Sequence, residues 1–430
     1  MNLKVAVVGA GPSGCYAAEH LLKQRCEIDV IDALPTPFGL VRYGVAPDHQ
    51  STKAVTRILS RTLGHPALRY HGNLRLGRDL SLDELRELYD AVILATGASA
   101  DRRLDIPGEQ LPGVYGSRAF VDWYNLHPGR LGEDLELREV REVLIIGNGN
   151  VALDIARLLA KTEDELAGSD LGEIETAALG RAAIRRIHIV GRRGAQHVRF
   201  SLAELTELTQ LARLRVEIDA PDGLGARADY ADGRVHDLLA SLPATARADD
   251  GGPPVLCFHF GLRPLSIEGQ QRAQRVRMAD AAGRERLLDA QLVVSSIGYR
   301  CADSFGLARD GERFANSDGR IAAGLYAVGW AKRGPSGVIG SNRSDSHMVA
   351  KRAVEECSAL PARPGRGGLE RLIAARGLDS TDFDSWQRID EHERVGAPPQ
   401  RVRSKLRSLA EMLDHARRPP RAPDQDIHHA

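Results

Sequence analysis

The sequence predicts an α/β protein in which one unit, a short strand followed by a glycine-rich turn and an amphipathic helix, occurs twice. The first unit has its strand at residues 3–8 and its helix at about residues 12–23. The second has its strand at residues 143–146 and its helix at residues 151–159. Between and after these units, short runs of branched apolar residues alternate with helical patterns, which is typical of sheets covered by helices.

Further elements follow from local patterns. Ser81 occupies the N-cap position of a helix predicted around residues 82–89. Additional strands are predicted at residues 27–32, 91–95, 186–190, 293–296 and 326–328.

Three segments are predicted to lie outside the regular elements. Pro and Gly indicate an ordered loop at residues 33–49. Residues 218–255 are dense in Gly, Ala, Asp and Pro and predict a surface excursion. The polar tail after about residue 360 is expected to pack as helices on the outside, with residues 418–430 disordered.

Length and composition narrow the class of protein. A chain of 430 residues exceeds one typical domain, so two are expected. Lys plus Arg and Asp plus Glu both number 58, so the overall charge predicts neither nucleic acid nor an anionic membrane as a partner. No apolar stretch reaches about 18 residues, and the first strand begins almost at the N-terminus, so a cytoplasmic protein without membrane segment or signal peptide is expected.

The cysteines argue against several kinds of site. The chain has five cysteines, and no two of them form a C-x-x-C pair. This removes the spacing expected of a dithiol redox centre, a zinc knuckle or a bacterial iron–sulfur site, so no metal site is predicted. Free and mostly buried thiols in a reducing compartment are the expected state.

The first glycine turn has the features of a dinucleotide site. Residues 9–14 read GAGPSG, follow a strand and open a helix, as the G-x-G-x-x-G fingerprint requires. Gly9 allows the tight turn, Gly11 lets a pyrophosphate approach the backbone, and Gly14 lets helix and strand pack closely. Asp32 stands at the end of the next strand, where a carboxylate can accept hydrogen bonds from ribose hydroxyls.

The second glycine turn predicts a different nucleotide. Residues 147–152 read GNGNVA, with alanine in place of the third glycine. The strand at 186–190 is followed by Arg192 and Arg193 and has no acidic residue at its end. Guanidinium groups there suit a 2′-phosphate and predict NADP rather than NAD, unless the two arginines are only solvated surface charges. An acidic site of the FAD type beside an NADP site describes a flavoprotein that takes hydride from NADPH.

The most distinctive stretch is residues 37–49, PFGLVRYGVAPDH, which strongly resembles the adrenodoxin reductase family of ferredoxin–NADP reductases. The resemblance extends over nearly the whole chain, with its motifs in the family's order. Two departures are the aspartate at position 32, where the family usually has glutamate, and a middle region that is shorter after residue 218. The other supporting motifs are GNGNVALD at 147–154, GRRG at 191–194, SSIGY at 295–299, GWAKRGPSGVIG at 329–340 and DSW at 384–386.

The resemblance implies a domain order and a set of cofactor contacts. FAD would lie on a domain built from residues 1–104 and 300–430, and NADP on an inserted domain of residues 105–299. Contacts to FAD, together with the three glycines of the first turn, are implied for Ser13, Asp32, Leu40, Leu76, Trp330, Gly337, Val338 and Ile339. Contacts to NADP are implied for Gly147, Asn148, Gly149, Asn150, Arg192, Arg193 and Glu204, with Gly337 near the nicotinamide.

The resemblance also implies the reaction. His49 and Glu207 match a polar pair beside the nicotinamide and the flavin. Residues 335–337 are expected to start a helix whose N–H groups face the flavin pyrimidine. The flavin would take hydride from NADPH and release electrons singly to a small iron–sulfur protein, with a cytochrome P450 as a candidate further acceptor. Basic residues that could steer an acidic ferredoxin are Arg102, Arg103, Arg181, Arg185, Arg186 and Arg199.

Two rival functions are left open by the residues alone. A flavin-dependent oxidase or monooxygenase acting on a small molecule would need an additional substrate pocket, which the sequence neither indicates nor excludes. A nucleotide-binding scaffold without catalysis would be expected to lack the arginine pair or the 37–49 loop, and both are intact.

Overall fold

The structure is a computed structural model that describes residues 2–129, 135, 137–245, 252–302, 305–357 and 363–419. Its strands, in chain order, are β1 (Lys4–Val8), β2 (Glu27–Ile31), β3 (Leu68–His71), β4 (Ala91–Leu94), β5 (Ala100–Asp101), β6 (Val114–Gly116), β7 (Glu142–Ile146), β8 (Arg186–Gly191), β9 (Arg215–Asp219), β10 (Val255–Phe260), β11 (Arg263–Glu268), β12 (Arg275–Ala279), β13 (Glu285–Asp289), β14 (Leu292–Ser295), β15 (Tyr299–Arg300), β16 (Arg309–Asp310), β17 (Arg313–Phe314), β18 (Arg320–Ala322) and β19 (Leu325–Ala327). Its α-helices are α1 (Pro12–Lys23), α2 (Leu40–Tyr43), α3 (Gln50–Lys53), α4 (Thr56–Leu63), α5 (Leu82–Leu88), α6 (Ser117–Tyr124), α7 (Asn150–Ala160), α8 (Glu173–Gly180), α9 (Leu202–Thr209), α10 (Gly233–Ala240), α11 (Trp330–Arg333), α12 (Ser341–Cys357), α13 (Arg366–Arg376), α14 (Phe383–Val395) and α15 (Leu409–Arg417).

The first sheet is built from both ends of the chain. Its order is β18-β19-β4-β1-β2-β3, and β1 pairs in parallel with β2 and β4. The late strand β19 joins parallel to β4, and the late helix α12 packs against α1. Apolar residues of β1, α1, α12, α14 and α15 share one core, which joins the start of the chain to its tail.

The second sheet is formed by the middle of the chain. Its order is β6-β14-β7-β8-β10-β9, and every pairing in it is parallel. Its central strands are apolar on both faces because α7 covers one face and the antiparallel sheet β11-β12-β13 covers the other. The α/β fold with two nucleotide-type sheets is therefore confirmed.

Most predicted elements are present within one or two residues. Helix α1 has the predicted bounds, and Ser81 caps α5 with its side chain, which accepts a hydrogen bond from the Glu84 backbone nitrogen. The 33–49 loop is ordered as predicted and contains the short helix α2.

Most described residues of segment 218–255 lie at the surface, as predicted, but the segment is not wholly a surface excursion. It contains α10, whose Val235 and Leu239 are buried in the core of the second sheet, so tertiary packing outweighs its polar composition. Residues 246–251 lie outside the described residues.

The tail forms helices as predicted, but it is not confined to the outside. Trp386 of α14 and Met412 of α15 are buried in the same core as β1. The core of the first sheet is therefore complete only when the tail is packed against it. Residues 420–430, most of the stretch predicted to be disordered, lie outside the described residues. Among the described helices, none combines the length and apolar character needed to cross a membrane.

Candidate functional site

The two glycine turns have the same backbone geometry in different sheets. Gly9 and Gly147 both have positive φ, at 110° and 127°. The Gly9 nitrogen donates to the Ile31 oxygen at 2.7 Å, and the Gly147 nitrogen donates to the Val190 oxygen at 2.9 Å. Each turn is thereby fixed against the neighbouring parallel strand, at the carboxyl edge where nucleotides bind in such sheets.

The space around the glycines fits nucleotide phosphates. A Cβ on Gly9 would lie 2.4 Å from the Ala95 oxygen, and one on Gly14 would lie 1.9 Å from the Gly9 oxygen. By contrast, a Cβ on Gly11 or Gly149 would meet nothing within 4 Å. Gly9 and Gly14 serve close packing. The open space over Gly11 and Gly149 lies at the N-termini of α1 and α7, where backbone N–H groups can receive an anion.

Asp32 holds the first turn through both of its carboxylate oxygens. Its Oδ2 accepts from the Ala10 nitrogen at 2.7 Å, and its Oδ1 accepts from the Leu34 nitrogen at 3.0 Å. Burial raises the pKa of Asp32 to about 6, although these two N–H donors act in the opposite direction. Each carboxylate oxygen keeps a lone pair that can accept from a hydroxyl.

Segments distant in the sequence converge on the first turn. A Cβ on Gly39, which precedes Leu40, would lie 3.2 Å from the Gly11 Cα. A Cβ on Gly329, which precedes Trp330, would lie 2.1 Å from the Ser13 Oγ. The Leu74 nitrogen donates to the Asp32 backbone oxygen, which places the segment leading to the buried Leu76 beside the same turn. The fold therefore brings the predicted FAD residues of the first half together with Trp330.

Trp330 fixes the loop that carries the predicted residues Gly337, Val338 and Ile339. Its Nε1 donates to the Ser336 oxygen at 3.1 Å, and its ring stacks on Tyr299 with centroids 6.0 Å apart. Val338 is 68% exposed, whereas Ile339 packs partly against the core.

The prediction of a helix start at residues 335–337 is wrong, because α12 begins at Ser341. Gly337 has a φ of 87°, which a helical residue cannot adopt. The Val338 oxygen accepts from the Ser341 nitrogen at 3.1 Å and from the Ser341 Oγ at 2.7 Å, so a separate turn precedes the helix.

The asparagines of the second turn bind neighbouring backbone. The Asn150 Oδ1 accepts from the Ser201 nitrogen at 2.8 Å, and the Asn148 oxygen accepts from the Arg199 nitrogen at 3.1 Å. These bonds hold the segment before α9 against the glycine turn. Arg192 and Arg193 follow β8 directly and are exposed.

His49 and Glu207 meet across the two halves of the molecule. His49 Nε2 lies 2.9 Å from Glu207 Oε2. The other ring nitrogen, Nδ1, lies 3.8 Å from Asp154 Oδ1 and 3.9 Å from Glu204 Oε1. Helices α7 and α9 therefore surround the imidazole of the loop after α2 with three carboxylates.

Sequence reasoning missed the ion pairs beneath this histidine. Arg157 is fully buried on α7 and donates to Asp48 and to Glu204. Lys161, one turn later, donates to Asp48 at 2.7 Å. Asp48 was in the quoted 37–49 motif, but an arginine in the middle of an apolar helix was the only signal for Arg157.

The two cations of this cluster, Arg157 and Lys161, offset only part of the charge of its four carboxylates. Burial raises the pKa of Asp154, although the adjacent Arg157 guanidinium lowers it. For Asp48, hydrogen bonds from Arg157 and Lys161 outweigh the effect of burial and hold the pKa well below its usual range. Oxygen and nitrogen ligands close enough for a metal ion occur around His49, but here Arg157 and Lys161 supply the positive charge.

The arginines suggested for steering a partner differ in their position and pairing. Arg185 and Arg186 lie at the amino end of β8, whereas Arg199 lies beside the glycine turn at its carboxyl end. Arg102 is paired with Glu312, and Arg103 lies within 4 Å of two carboxylates. Arg199 therefore lies apart from Arg185 and Arg186, at the opposite end of the same strand.

Known proteins resemble this chain over nearly its whole length. A family model described as pyridine nucleotide-disulphide oxidoreductase matches residues 3–193. The mitochondrial NADPH:adrenodoxin oxidoreductase of Salvelinus fontinalis is 36% identical, with 96% of this chain and 91% of that protein covered. Cindoxin reductase of Citrobacter braakii is 36% identical with the same coverage. The NADPH-ferredoxin reductase FprA of Mycobacterium tuberculosis is 37% identical, with 95% and 98% covered.

Solved structures of known proteins also resemble this chain over most of its length. The structure of Mycobacterium tuberculosis FprA in complex with NADPH has a TM-score of 0.89 and 36% identity, covering 97% of this chain and 100% of that one. A thioredoxin reductase of T. acidophilum has a TM-score of 0.50 and 15% identity, covering 83% of this chain and 99% of that one, which shows a shared fold.

The described cysteines of the present chain are all free and buried, as expected from their spacing.

Proposed function

The chain belongs to the adrenodoxin reductase family of ferredoxin–NADP reductases, and from this premise we propose which of its residues serve the reaction. The protein is an FAD-dependent oxidoreductase that takes electrons from NADPH and passes them to a ferredoxin-type iron–sulfur protein. When bound, FAD supplies the change from a two-electron hydride donor to single-electron delivery, which side chains do not provide.

The observation that carries the proposal is the junction at His49. The FAD-side loop that ends at His49 contacts Glu207 at 2.9 Å, and Asp48 in the same loop is held by Arg157 of the NADP-side helix α7. A junction of this kind is required where a nicotinamide must meet a flavin, because hydride transfer needs the donor and acceptor in contact.

The domain boundaries proposed are residues 1–104, 105–299 and 300–430, with the middle domain inserted. Support comes from β5 and β15, which pair antiparallel with Asp101 opposite Tyr299 and Ala100 opposite Arg300. The chain therefore leaves the first sheet and returns to it along adjacent strands.

FAD binding is assigned to the glycines of the first turn with Ser13, Asp32, Leu40, Leu76, Trp330 and residues 337–339. Support comes from the convergence of the Leu40 loop and the Gly329 segment on Gly11 and Ser13. The loop at 337–339 would present backbone N–H groups, and Trp330 would hold that loop in place.

NADPH binding is assigned to residues 147–150, Arg192, Arg193 and Glu204. We assign His49 and Glu207 to positioning the nicotinamide or adjusting the flavin, since the transfer of hydride itself requires no acid or base. Glu204 also accepts from buried Arg157 at 3.0 Å, which fixes its carboxylate toward the same junction.

The test is NADPH-driven reduction of cytochrome c by the purified protein with increasing amounts of a 2Fe-2S ferredoxin. The rate is expected to rise with ferredoxin and to reach a plateau, because the ferredoxin carries single electrons to the cytochrome. A rate indifferent to several ferredoxins, while NADPH still bleaches the flavin, would move the assignment to an oxidase or monooxygenase with a small-molecule acceptor.

A further inference from the structure

A cavity of about 400 Å³ lies beside the arginine pair that is assigned to the NADP 2′-phosphate. Its wall is formed by four segments, which are the stretch that follows β8, the turn between β10 and β11, the turn between β12 and β13, and the stretch that follows β9. Arg192 and Arg193 contribute from the first segment and Arg263 from the second. No sequence motif pointed to Arg263.

The backbone holds Arg263 next to the arginine pair. The Gly261 nitrogen donates to the Arg193 oxygen at 3.1 Å, and the Leu262 nitrogen donates to the Gly191 oxygen at 3.1 Å. Gly261 has a φ of 76°, which allows the chain to turn from β10 into β11 within two residues. The position of Arg263 relative to the β8 loop is therefore fixed by the fold.

Arg263 differs from the neighbouring arginines in that its guanidinium has no carboxylate partner among the described residues. On strands β11 to β13 the other arginines each lie within ion-pair distance of a carboxylate, Arg275 and Arg277 with Glu268 and Arg286 with Asp219. Arg263 forms no ion pair or side-chain hydrogen bond with any residue that the structure describes, and the same is true of Arg192 and Arg193. Three uncompensated guanidinium groups thus face one cavity.

The acidic residues of the same wall offset this charge only in part. The Asp280 carboxylate accepts from the Arg284 Nε at 2.7 Å and from the Arg284 nitrogen at 2.9 Å, so it is already engaged. Asp222 is the other acidic residue of the wall. A phosphate monoester carries nearly two negative charges at neutral pH, which matches the excess of positive charge.

We propose that Arg263 is a third guanidinium contact for the 2′-phosphate of NADPH and therefore a determinant of the preference for NADPH over NADH. The inference rests on the assignment of the NADP site to Arg192 and Arg193. It adds a residue from the turn between β10 and β11, far in sequence from the nucleotide fingerprint.

The test is calorimetric titration of the FAD-loaded protein with adenosine 2′,5′-bisphosphate and with 5′-AMP, which differ only in the 2′-phosphate. Arg263→Ala is expected to weaken binding of the bisphosphate about tenfold, as for loss of one charge-assisted hydrogen bond, and to leave AMP binding unchanged. Arg275→Ala is the matched control, because Arg275 lies on the same small sheet and Glu268 keeps Arg277 as its partner; it should change neither affinity.

Unchanged bisphosphate binding in Arg263→Ala would overturn the inference, and so would an equal loss for both ligands, which would indicate a collapsed wall. If Arg192→Ala weakens bisphosphate binding and Arg263→Ala does not, the NADP site stands and only the role of Arg263 falls. If the unaltered protein does not distinguish the two ligands, the 2′-phosphate assignment of the arginine pair falls as well.

Discussion

The guanidinium of Arg157 binds the carboxylate of Asp48 through two parallel hydrogen bonds, Nη2 to Oδ1 at 2.9 Å and Nε to Oδ2 at 3.0 Å. Arg157 belongs to the helix after the second glycine turn, and Asp48 belongs to the loop that passes the first. Both side chains are nearly inaccessible to solvent, so the pair joins the two nucleotide halves from within.

Asp48→Ala should strongly destabilise the protein, because it leaves the buried Arg157 with fewer partners. Because Arg157 keeps Asp154 and Glu204 as partners, loss of its hydrogen bonds to the Asp48 carboxylate is expected to lower the free energy of unfolding by about 1–3 kcal/mol. Thermal unfolding, monitored through the release of flavin, would measure this loss of stability as a lower melting temperature. Arg78→Ala is the control, because the Arg78 side chain is exposed in its ion pair with Asp79. A comparable loss of stability in this variant would contradict the expectation for Asp48→Ala.

Gly11→Ala and Gly14→Ala should have different effects. A Cβ at Gly11 meets no protein atom, so the apoprotein should keep its stability while the affinity for FAD falls. A Cβ at Gly14 would overlap the Gly9 oxygen, so that variant should lose stability as well as FAD. Flavin absorbance and the melting temperature of the apoproteins would separate the two. Normal flavin content in Gly11→Ala would contradict the assignment of the pyrophosphate to this turn.

Arg192→Ala combined with Arg193→Ala should raise the KM for NADPH far more than the KM for NADH. Each lost charge-assisted contact to a phosphate is expected to weaken NADPH binding by about tenfold or more. Steady-state kinetics with both nucleotides would measure the difference. Equal increases for the two cofactors would show that the arginines do not recognise the 2′-phosphate.

Acid should destabilise the protein in part through His127. This ring packs edge-on against Tyr43 with centroids 4.9 Å apart, and its Nδ1 accepts from the Gly129 nitrogen. Burial, reinforced by nearby arginines, lowers the pKa of His127 from 6.5 to about 3. The unfolded chain therefore binds a proton that the folded protein excludes, and stability is lost as the pH falls from about 6.5 toward 3.

His127→Phe keeps an aromatic ring beside Tyr43 and removes the titration. Its free energy of unfolding should fall less than that of the unaltered protein between about pH 7 and pH 5, by about 1–2 kcal/mol. Urea unfolding at several pH values would measure it. Parallel pH curves for the two proteins would show that another group accounts for the acid sensitivity.

Both glycine turns could be predicted from the sequence because their determinants are local. A strand, a glycine pattern and a helix lie within about twenty residues, and Asp32 or Arg192 stands at the end of the next strand. These features depend on backbone conformation and on parallel strand order, which short patterns specify well.

The junction and the tail could not be predicted in the same way. Asp48 and Arg157 are 109 positions apart, and an arginine on a helix normally indicates a solvated face. Trp386 and Leu239 lie in polar segments whose burial depends on strands formed elsewhere in the chain. The missing information in each case is the three-dimensional proximity of distant segments, which local periodicity does not contain.

The split construction of the first sheet has a consequence for biosynthesis. When the ribosome has made β4, the neighbour of that strand on one side, β19, is still more than two hundred residues from being translated. By the time β19 is translated, every strand of the second sheet, from β6 to β14, has already been made. Vectorial synthesis therefore favours closure of the inserted half first, while the nascent N-terminal half keeps an open strand edge that chaperones could shield.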